Sequence, residues 1–521
     1  MDSLSRAILQ AQAELAGNGG QPTAAVVGSL IAAHQASRDA MAALYRRYCA
    51  TRDGVPIYGR TFEYSTTKVN AQLANDFFGA IIDTKLGYFM GRPVSYGLDK
   101  TGYVTETQPG LMGRLLGQRP REITADENPA YADHNKTLQD FVLRSNLADL
   151  DAETGKMEAI CGYGARLLYV RGGDAQADGL PYCMAIPPWE VIPVTTGNAW
   201  EAEHALRYYE APLFRGGEWV DVWRAEWYTP SHAYYYVQGS GGDYELDSGA
   251  PANPRPHLFD LCPLIAFPNN DERQGDASRV VALIDAYDRA VSDVNSEIEQ
   301  FRLAYMAAYG VDLGDDVIER ARKTGILIIP TAAGGQPHEI RFLTKSLDDA
   351  IIEHHLDRLD RNILRFAKSV NFDDEAFGGT VSGIALKFKL FNLESSCATT
   401  ERKHSAASRR MFEVLATVWR KRGQAIDYKA VTMQFTRNFP LNLNDEAQTT
   451  GLLKGLVSEK TRLDLLSFVT DSEKELRDMA AEGRVDLDRV PAEGEGEKEE
   501  PTDDGDEPPQ GSPDQSGAAG E

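Results

Sequence analysis

Apolar side chains along the chain change period several times, and each change predicts a boundary. Residues 22 to 90 read as helical. Their clearest stripe is Phe77, Phe78, Ile81, Ile82, Leu86, Phe89 and Met90, which Gly91 and Pro93 stop. A further helix is predicted over 135–153. From about 157 to 268 the pattern shortens to runs such as "ARLLYVRG", "EWVDVWRAEWYTP" and "HAYYYVQG". These are rich in Tyr, Trp and Val, separated by Gly, Pro and Asp, and they predict an antiparallel β region.

Helical spacing returns at 276. Val280, Ile284, Tyr287, Val291, Val294, Ile298, Phe301 and Tyr305 follow a 4,3 alternation, a heptad seam about 39 Å long. Off the seam lie Asp285, Asp288, Asp293, Glu297 and Glu299 with only Arg289 and Arg302. A helix on its own domain core and a helix packed beside copies of itself both fit this pattern. Residues 310–345 read as helix ("DDVIERARKTG"), strand ("ILIIP"), turn and strand ("EIRFLTK"). Ser346 with Asp349 resembles a capping box that opens a helix through about 370.

Next comes "SVNFDDEAFGGTVSG", an acidic, glycine-rich, Phe-tipped stretch. The following residues, 384–422, contain neither Gly nor Pro and permit a helix of about 58 Å. That helix carries nine Lys/Arg against Glu394, Glu401 and Glu413, with a basic end that suits the helix dipole. Gly423 stops it. A strand, "AVTMQFT", and two short helices follow, one beginning near Ser458 and one capped by Thr470 with Glu473.

Composition narrows the function. The 521 residues are 42% hydrophobic and 25% charged, an ordinary globular balance with room for several cores. No run of 18 apolar residues predicts a transmembrane helix, and the N-terminus has no signal-peptide pattern. Five scattered cysteines, with no CxxC, read as buried thiols in a reducing compartment, and the adjacent His354 and His355 point to different sides of a helix. Net charge is −24. The Pro/Gly/acid-rich tail from Pro491 to Glu521 carries −10 of it and is predicted to be disordered, which leaves −14 on the other 490 residues. A sequence-specific DNA binder needs a basic face, and this balance argues against one. There is no GxxxxGK[ST], HExxH or GxSxG, so no catalytic residue, metal or cofactor is expected. The acidic pairs Asp315-Asp316 and Asp348-Asp349 admit a metal-nuclease reading, but helix-start acids account for both.

Four segments in order, "NDFFGAIIDTKLGYFMGRPV", "LIDAYDRAVSDVNSEIEQFRLAYMAAYG", "SGIALKFKLFNLESSCATTERK" and "GLVSEKTRLDLLSFVTDSEKEL", give the chain its resemblance. It resembles the portal proteins of tailed bacteriophages, in the siphophage-type family. The resemblance implies an α+β fold, mainly helical, with wing, stem, clip and crown regions and a β-rich part in the wing. Residues 1–270 would be the N-terminal wing region, 271–305 and 346–370 the stem helices, and 306–345 the clip. Residues 371–383 would be the tunnel loop, 384–440 the long wing helix and strand, and 441–490 the crown.

It also implies a dodecameric ring at one capsid vertex, through which double-stranded DNA passes without sequence preference in packaging and ejection. The expected partners are the terminase large subunit, the head-to-tail adaptor, and the major capsid and scaffolding proteins, with no membrane. The expected location is the virion, and the host cytoplasm during assembly. On this reading Phe372, Asp373, Asp374, Glu375, Phe377, Gly378, Gly379 and Gly383 would line the channel, and Lys387 and Lys389 would guide the DNA backbone. Arg320, Arg322 and Lys323 would face partners at the clip. Ile284, Val291, Val294, Ile298 and Phe301 would pack stem against stem. The bases of the long helix could pair with acids of a neighbouring subunit. An acidic capsid-associated scaffold without a channel is the alternative reading.

Overall fold

A computed structural model describes residues 3–61, 69–107, 121–171, 179–215, 217–301, 305–309, 316, 319, 339–343, 349–371, 383–438, 443–466, 469 and 472–483. The chain divides into two units, Met1–Phe439 and Pro440–Glu521. The first begins with helices α1 (Ser3–Gly17), α2 (Ala24–Tyr48) and α3 (Phe77–Phe89), then strands β1 (Ser95–Leu98), β2 (Thr105–Thr107) and β3 (Arg121–Ile123). Helices α4 (Pro129–Arg144) and α5 (Leu147–Cys161) lead into a run of strands: β4 (Tyr163–Val170), β5 (Pro181–Ile186), β6 (Val191–Pro193), β7 (Ala205–Arg215), β8 (Glu218–Tyr228), β9 (His232–Gln238), β10 (Tyr244–Leu246), β11 (Arg255–Pro256) and β12 (Leu264–Pro268). Helix α6 (Val281–Phe301), strands β13 (Tyr305–Tyr309) and β14 (Glu339–Leu343), helices α7 (Asp349–Ala367) and α8 (Gly383–Lys421), and β15 (Val431–Gln434) complete it.

Caps mark where the helices start. Thr23 accepts from Val26 N at the head of α2, Asp76 from Gly79 N at α3, and Asn128 from Ala130 N at α4, with Pro129 in the first turn. Two predicted helices are interrupted. The 22–90 stretch breaks after Tyr48, and 69–76 forms neither helix nor strand. The 135–153 helix lies across two helices, because Asn146 adopts φ 48°, ψ 52° between α4 and α5. Asn tolerates this left-handed conformation better than most residues, so the direction change falls there.

The β region takes the predicted antiparallel form. One sheet runs β10-β9-β8-β7-β6, with β11 on β9, and another runs β12-β4-β5. Helices α1 and α2 cover the first, where Ile8, Leu15, Val27 and Leu30 meet Tyr208, Trp227 and Tyr236. The second packs with α4 and α8, where Phe267 and Ile265 join Leu138, Phe141, Met411, Phe412 and Trp419. Strand β15 pairs antiparallel with β1, Val431 opposite Leu98, which ties the end of this unit to its beginning.

Helix α8 is 39 residues long, as its lack of internal Gly and Pro permits, and it spans about 58 Å. In the second unit, α9 (Leu443–Leu452), α10 (Glu459–Asp464) and α11 (Ser472–Ala481) are short. Ser458 caps α10 by accepting from Thr461 N, as its position predicts. The predicted cap Thr470 lies outside the described residues.

Candidate functional site

The central feature is a helix–strand–strand–helix hairpin. Helix α6 runs into β13, β13 pairs antiparallel with β14 (Tyr305 opposite Leu343, Tyr309 opposite Glu339), and β14 leads to α7, which packs back on α6. Tyr305 therefore begins a strand instead of continuing the seam. Of the predicted strand 339–345, Glu339–Leu343 is present, and its partner is Tyr305–Tyr309, whose first residue the seam pattern places on the helix.

The seam itself divides. Val280 and Ile284 are fully buried with Phe78, Ile81, Ile82 and Ile363, so Ile284 serves its own chain's core. Val291 and Val294 are half-buried, and Ile298 is 54% exposed. Phe301 closes the helix, and its side chain lies outside the described residues. On α7, Leu359 and Ile363 are buried one turn apart, whereas Ile351 and Phe366 face out.

Helix α6 also carries a buried polar stripe that its apolar spacing does not reveal. Asp288, Ser292 and Ser296, each four residues apart, are buried. They accept hydrogen bonds from the backbone N–H of Asn75 (2.8 Å), Leu73 (3.0 Å) and Ala71 (3.0 Å) respectively. Four helical residues rise about 6 Å and two extended residues about 6.6 Å, so the repeats match and residues 71–75 lie along the helix. Burial raises the Asp288 carboxyl pKa, against the hydrogen bonds from Asn75. Asp285 pairs with Arg47 at 2.6 Å and Asp293 with Arg60. Much of the acidic excess of α6 is thus matched from the N-terminal region. The acid side of α7 is felt at Tyr287, whose pKa is raised by burial and by Asp360, Glu353, Asp288 and Asp357.

Helix α7 ends where Lys368 turns to φ 56° and Ser369 N bonds back to Leu364 O at 3.0 Å. Residues 372–382 lie outside the described residues, and with them Phe372, Asp373, Asp374, Glu375, Phe377, Gly378 and Gly379. So do Arg320, Arg322 and Lys323. Gly383, assigned from sequence to the loop, is the first residue of α8. Lys387 lies on α8 with its side chain outside the described residues, and Lys389 is half-buried. Between and beyond them Phe388 and Phe391, three residues apart, are 77% and 67% exposed.

Three bases of α8 pair with acids within the chain. Lys403 pairs with Asp271, Arg410 with Glu413 (2.7 Å) and Lys421 with Asp260 (2.6 Å). The acids Glu394 and Glu401 both hold Arg437, at 2.8 and 2.7 Å. Two buried polar clusters fix the helix. Lys85 Nζ reaches Asp276 and Thr400 at 2.8 Å each. Farther along, His404 Nδ1 lies 2.8 Å from Glu158 Oε1 and its Nε2 3.7 Å from Asp151, which pairs with fully buried Arg166 at 2.7 Å. Burial by itself would lower the His404 pKa, but the charge and hydrogen bond of Glu158, with the nearby Asp151 carboxylate, outweigh it and hold the pKa above its usual value.

Cys161, Cys183, Cys262 and Cys397 are buried, with thiol pKa values pushed up to about 12 by that burial, whereas Cys49 is exposed. No described helix is long and apolar enough to cross a membrane. The described residues contain no group of three or more His, Cys, Asp or Glu arranged to hold a metal.

Residues 28–486 match the model of the family described as phage portal protein, SPP1 Gp6-like, and the chain belongs to that family. It acts as a portal protein of a bacteriophage. The portal protein of Bacillus phage SPP1 is 27% identical over 380 residues, covering 70% of this chain and 73% of that one. The portal protein of Clostridium phage phiCD119 is 18% identical over 476 residues, covering 89% and 96%.

Proposed function

We propose that the chain forms a ring at the portal vertex of the capsid, with α6 and α7 as stem helices around a channel for double-stranded DNA. In this reading 306–345 is the clip, 371–382 the tunnel loop, α8 with the N-terminal and β-rich parts the wing, and 441–490 the crown. The clip docks the terminase large subunit during packaging and the head-to-tail adaptor afterwards, and the wing meets the major capsid and scaffolding proteins. The protein enters the virion after assembly in the host cytoplasm. Its work is positional: it holds no reactant, and it passes DNA without reading sequence.

The observation that carries this reading is the family match over 28–486, which contains the hairpin and the long helix in one order. Large apolar side chains support it: Ile298 on α6, Ile351 and Phe366 on α7, and Phe388 and Phe391 on α8 are all exposed in the single chain. Isolated exposed apolar residues are common, but several on adjoining elements mark surfaces that meet other molecules. An acidic balance suits a conduit, because dense phosphate neutralisation would hold DNA in place instead of letting it slide. Electron microscopy of the purified full chain tests the proposal. Rings with an axial hole are expected, and particles without a hole would leave the acidic scaffold reading in its place.

A further inference from the structure

A projecting aromatic tip and an unfilled aromatic cleft lie on the same sheet. Strands β7 and β8 pair without interruption from Ala205 opposite Tyr228 to Arg215 opposite Glu218. Gly217, at φ 94°, helps close the turn between them. At this tip Phe214 and Trp219 sit opposite each other, ring centroids 5.3 Å apart, and are 59% and 70% exposed. An aromatic pair left in water forgoes a large burial free energy, and such side chains are the usual anchors of protein interfaces.

Farther along the ribbon, from its middle at Trp223 to Tyr208, lies a cleft of about 690 Å³ between the sheet and α2. Ala24, Gly28 and Ala32, one turn apart each, form its helix wall, and Tyr208, Trp223 and Tyr244 form the opposite side. Small side chains facing aromatic ones leave a slot that the chain does not fill. Its size falls within the roughly 300–1,000 Å³ of clefts that enclose a drug-sized group. Arg38 lies over the Trp223 ring at 4.5 Å, which places a cation beside the slot.

We propose that the Phe214/Trp219 tip of one copy seats in the α2 cleft of the next copy, with Glu218 meeting Arg38. The tip cannot enter its own cleft, because four to six extended residues, about 13–20 Å, hold it away from Trp223 and Tyr208 in a paired ribbon. Tip and cleft are unlike surfaces, one of each per chain. Such head-to-tail contacts propagate around a ring until it closes. The inference rests on the ring reading above and adds a specific contact between subunits.

The test uses the full chain with Cys49→Ser, to remove the exposed native thiol, plus Ala32→Cys and Glu218→Cys, which leaves both tip rings in place. Assembled particles are oxidised and run on a non-reducing gel. A ladder of covalent multimers is expected, absent from either single-cysteine variant. Separately, Trp219→Ser is expected to raise the protein concentration at which rings dissociate by about tenfold, without changing the circular dichroism of the subunit. Rings that form but never cross-link overturn this contact and leave the ring reading standing. A chain that stays monomeric at every concentration overturns both.

Discussion

His404 lies in the middle of the longest helix, fully buried between two carboxylates. Its raised pKa means that the folded state holds a proton which the unfolded chain releases at about pH 6.5. This contribution is therefore complete below pH 6.5 and is lost as pH rises through the folded value. Glu158, whose pKa is raised by burial despite His404, gives the same sign. Thermal melts of the wild-type chain are expected to show stability falling above pH 6.5, by no more than about 1.4 kcal/mol per pH unit for this one proton. His404→Gln removes that part of the slope, and an unchanged slope in the variant would refute the assignment. Arg166, which pairs with Asp151 and lies over Phe267 at 4.4 Å, carries its charge with no exposure at all, so the cluster joins α5, β4 and α8 through polar contacts in a dry interior.

The α6 stripe shows an element whose two faces do different work. Ile284 and its neighbours fill the core, and Asp288, Ser292 and Ser296 take up the backbone of 71–75. Ser292 both accepts from Leu73 N and donates to Leu73 O at 3.3 Å. Ser292→Ala removes only the hydroxyl and takes this partner from both Leu73 N and Leu73 O, at a cost of about 1 kcal/mol. Hydrogen exchange is expected to show the amides of Ala71, Leu73 and Asn75 losing protection together. Unchanged exchange at Leu73 would mean that the segment does not depend on the stripe. The tight approach at Gly162 is of the same kind. At φ 86° a Cβ there would lie 2.0 Å from Arg273 O, so the α5–β4 turn and the loop leading to α6 sit against each other only with glycine.

At the scale of the whole molecule, the proposed ring asks which of the seam positions are left for other subunits. Ile284 is excluded by its burial, and Ile298 remains available. Ile298→Asp adds a charge at a site open to water in the single chain, so the fold tolerates it with a change of about 0.5 kcal/mol or less. In a stem packed against stems the same charge is buried without a partner. Gel filtration is expected to give folded, unassembled subunits for Ile298→Asp. Wild-type-sized rings from this variant would remove α6 from the subunit contact.

Local pattern alone decided the length of α8, the antiparallel character of 163–268, and the portal resemblance, because these rest on residue order, turn-forming residues and the absence of helix breakers. The break at Asn146 and the strand at 305–309 were not legible. Both stretches carry apolar spacing compatible with a helix; a single left-handed residue turns the chain at Asn146, and pairing with the distant Glu339–Leu343 selects a strand at 305–309. The charges of α6 and α8 read as unmatched in sequence, since their partners Arg47, Arg60, Asp260 and Asp271 lie far away along the chain. Side-chain period reports which face is apolar. What covers that face, and which charges meet across it, depends on how the chain returns to itself, and that is a property of the tertiary structure.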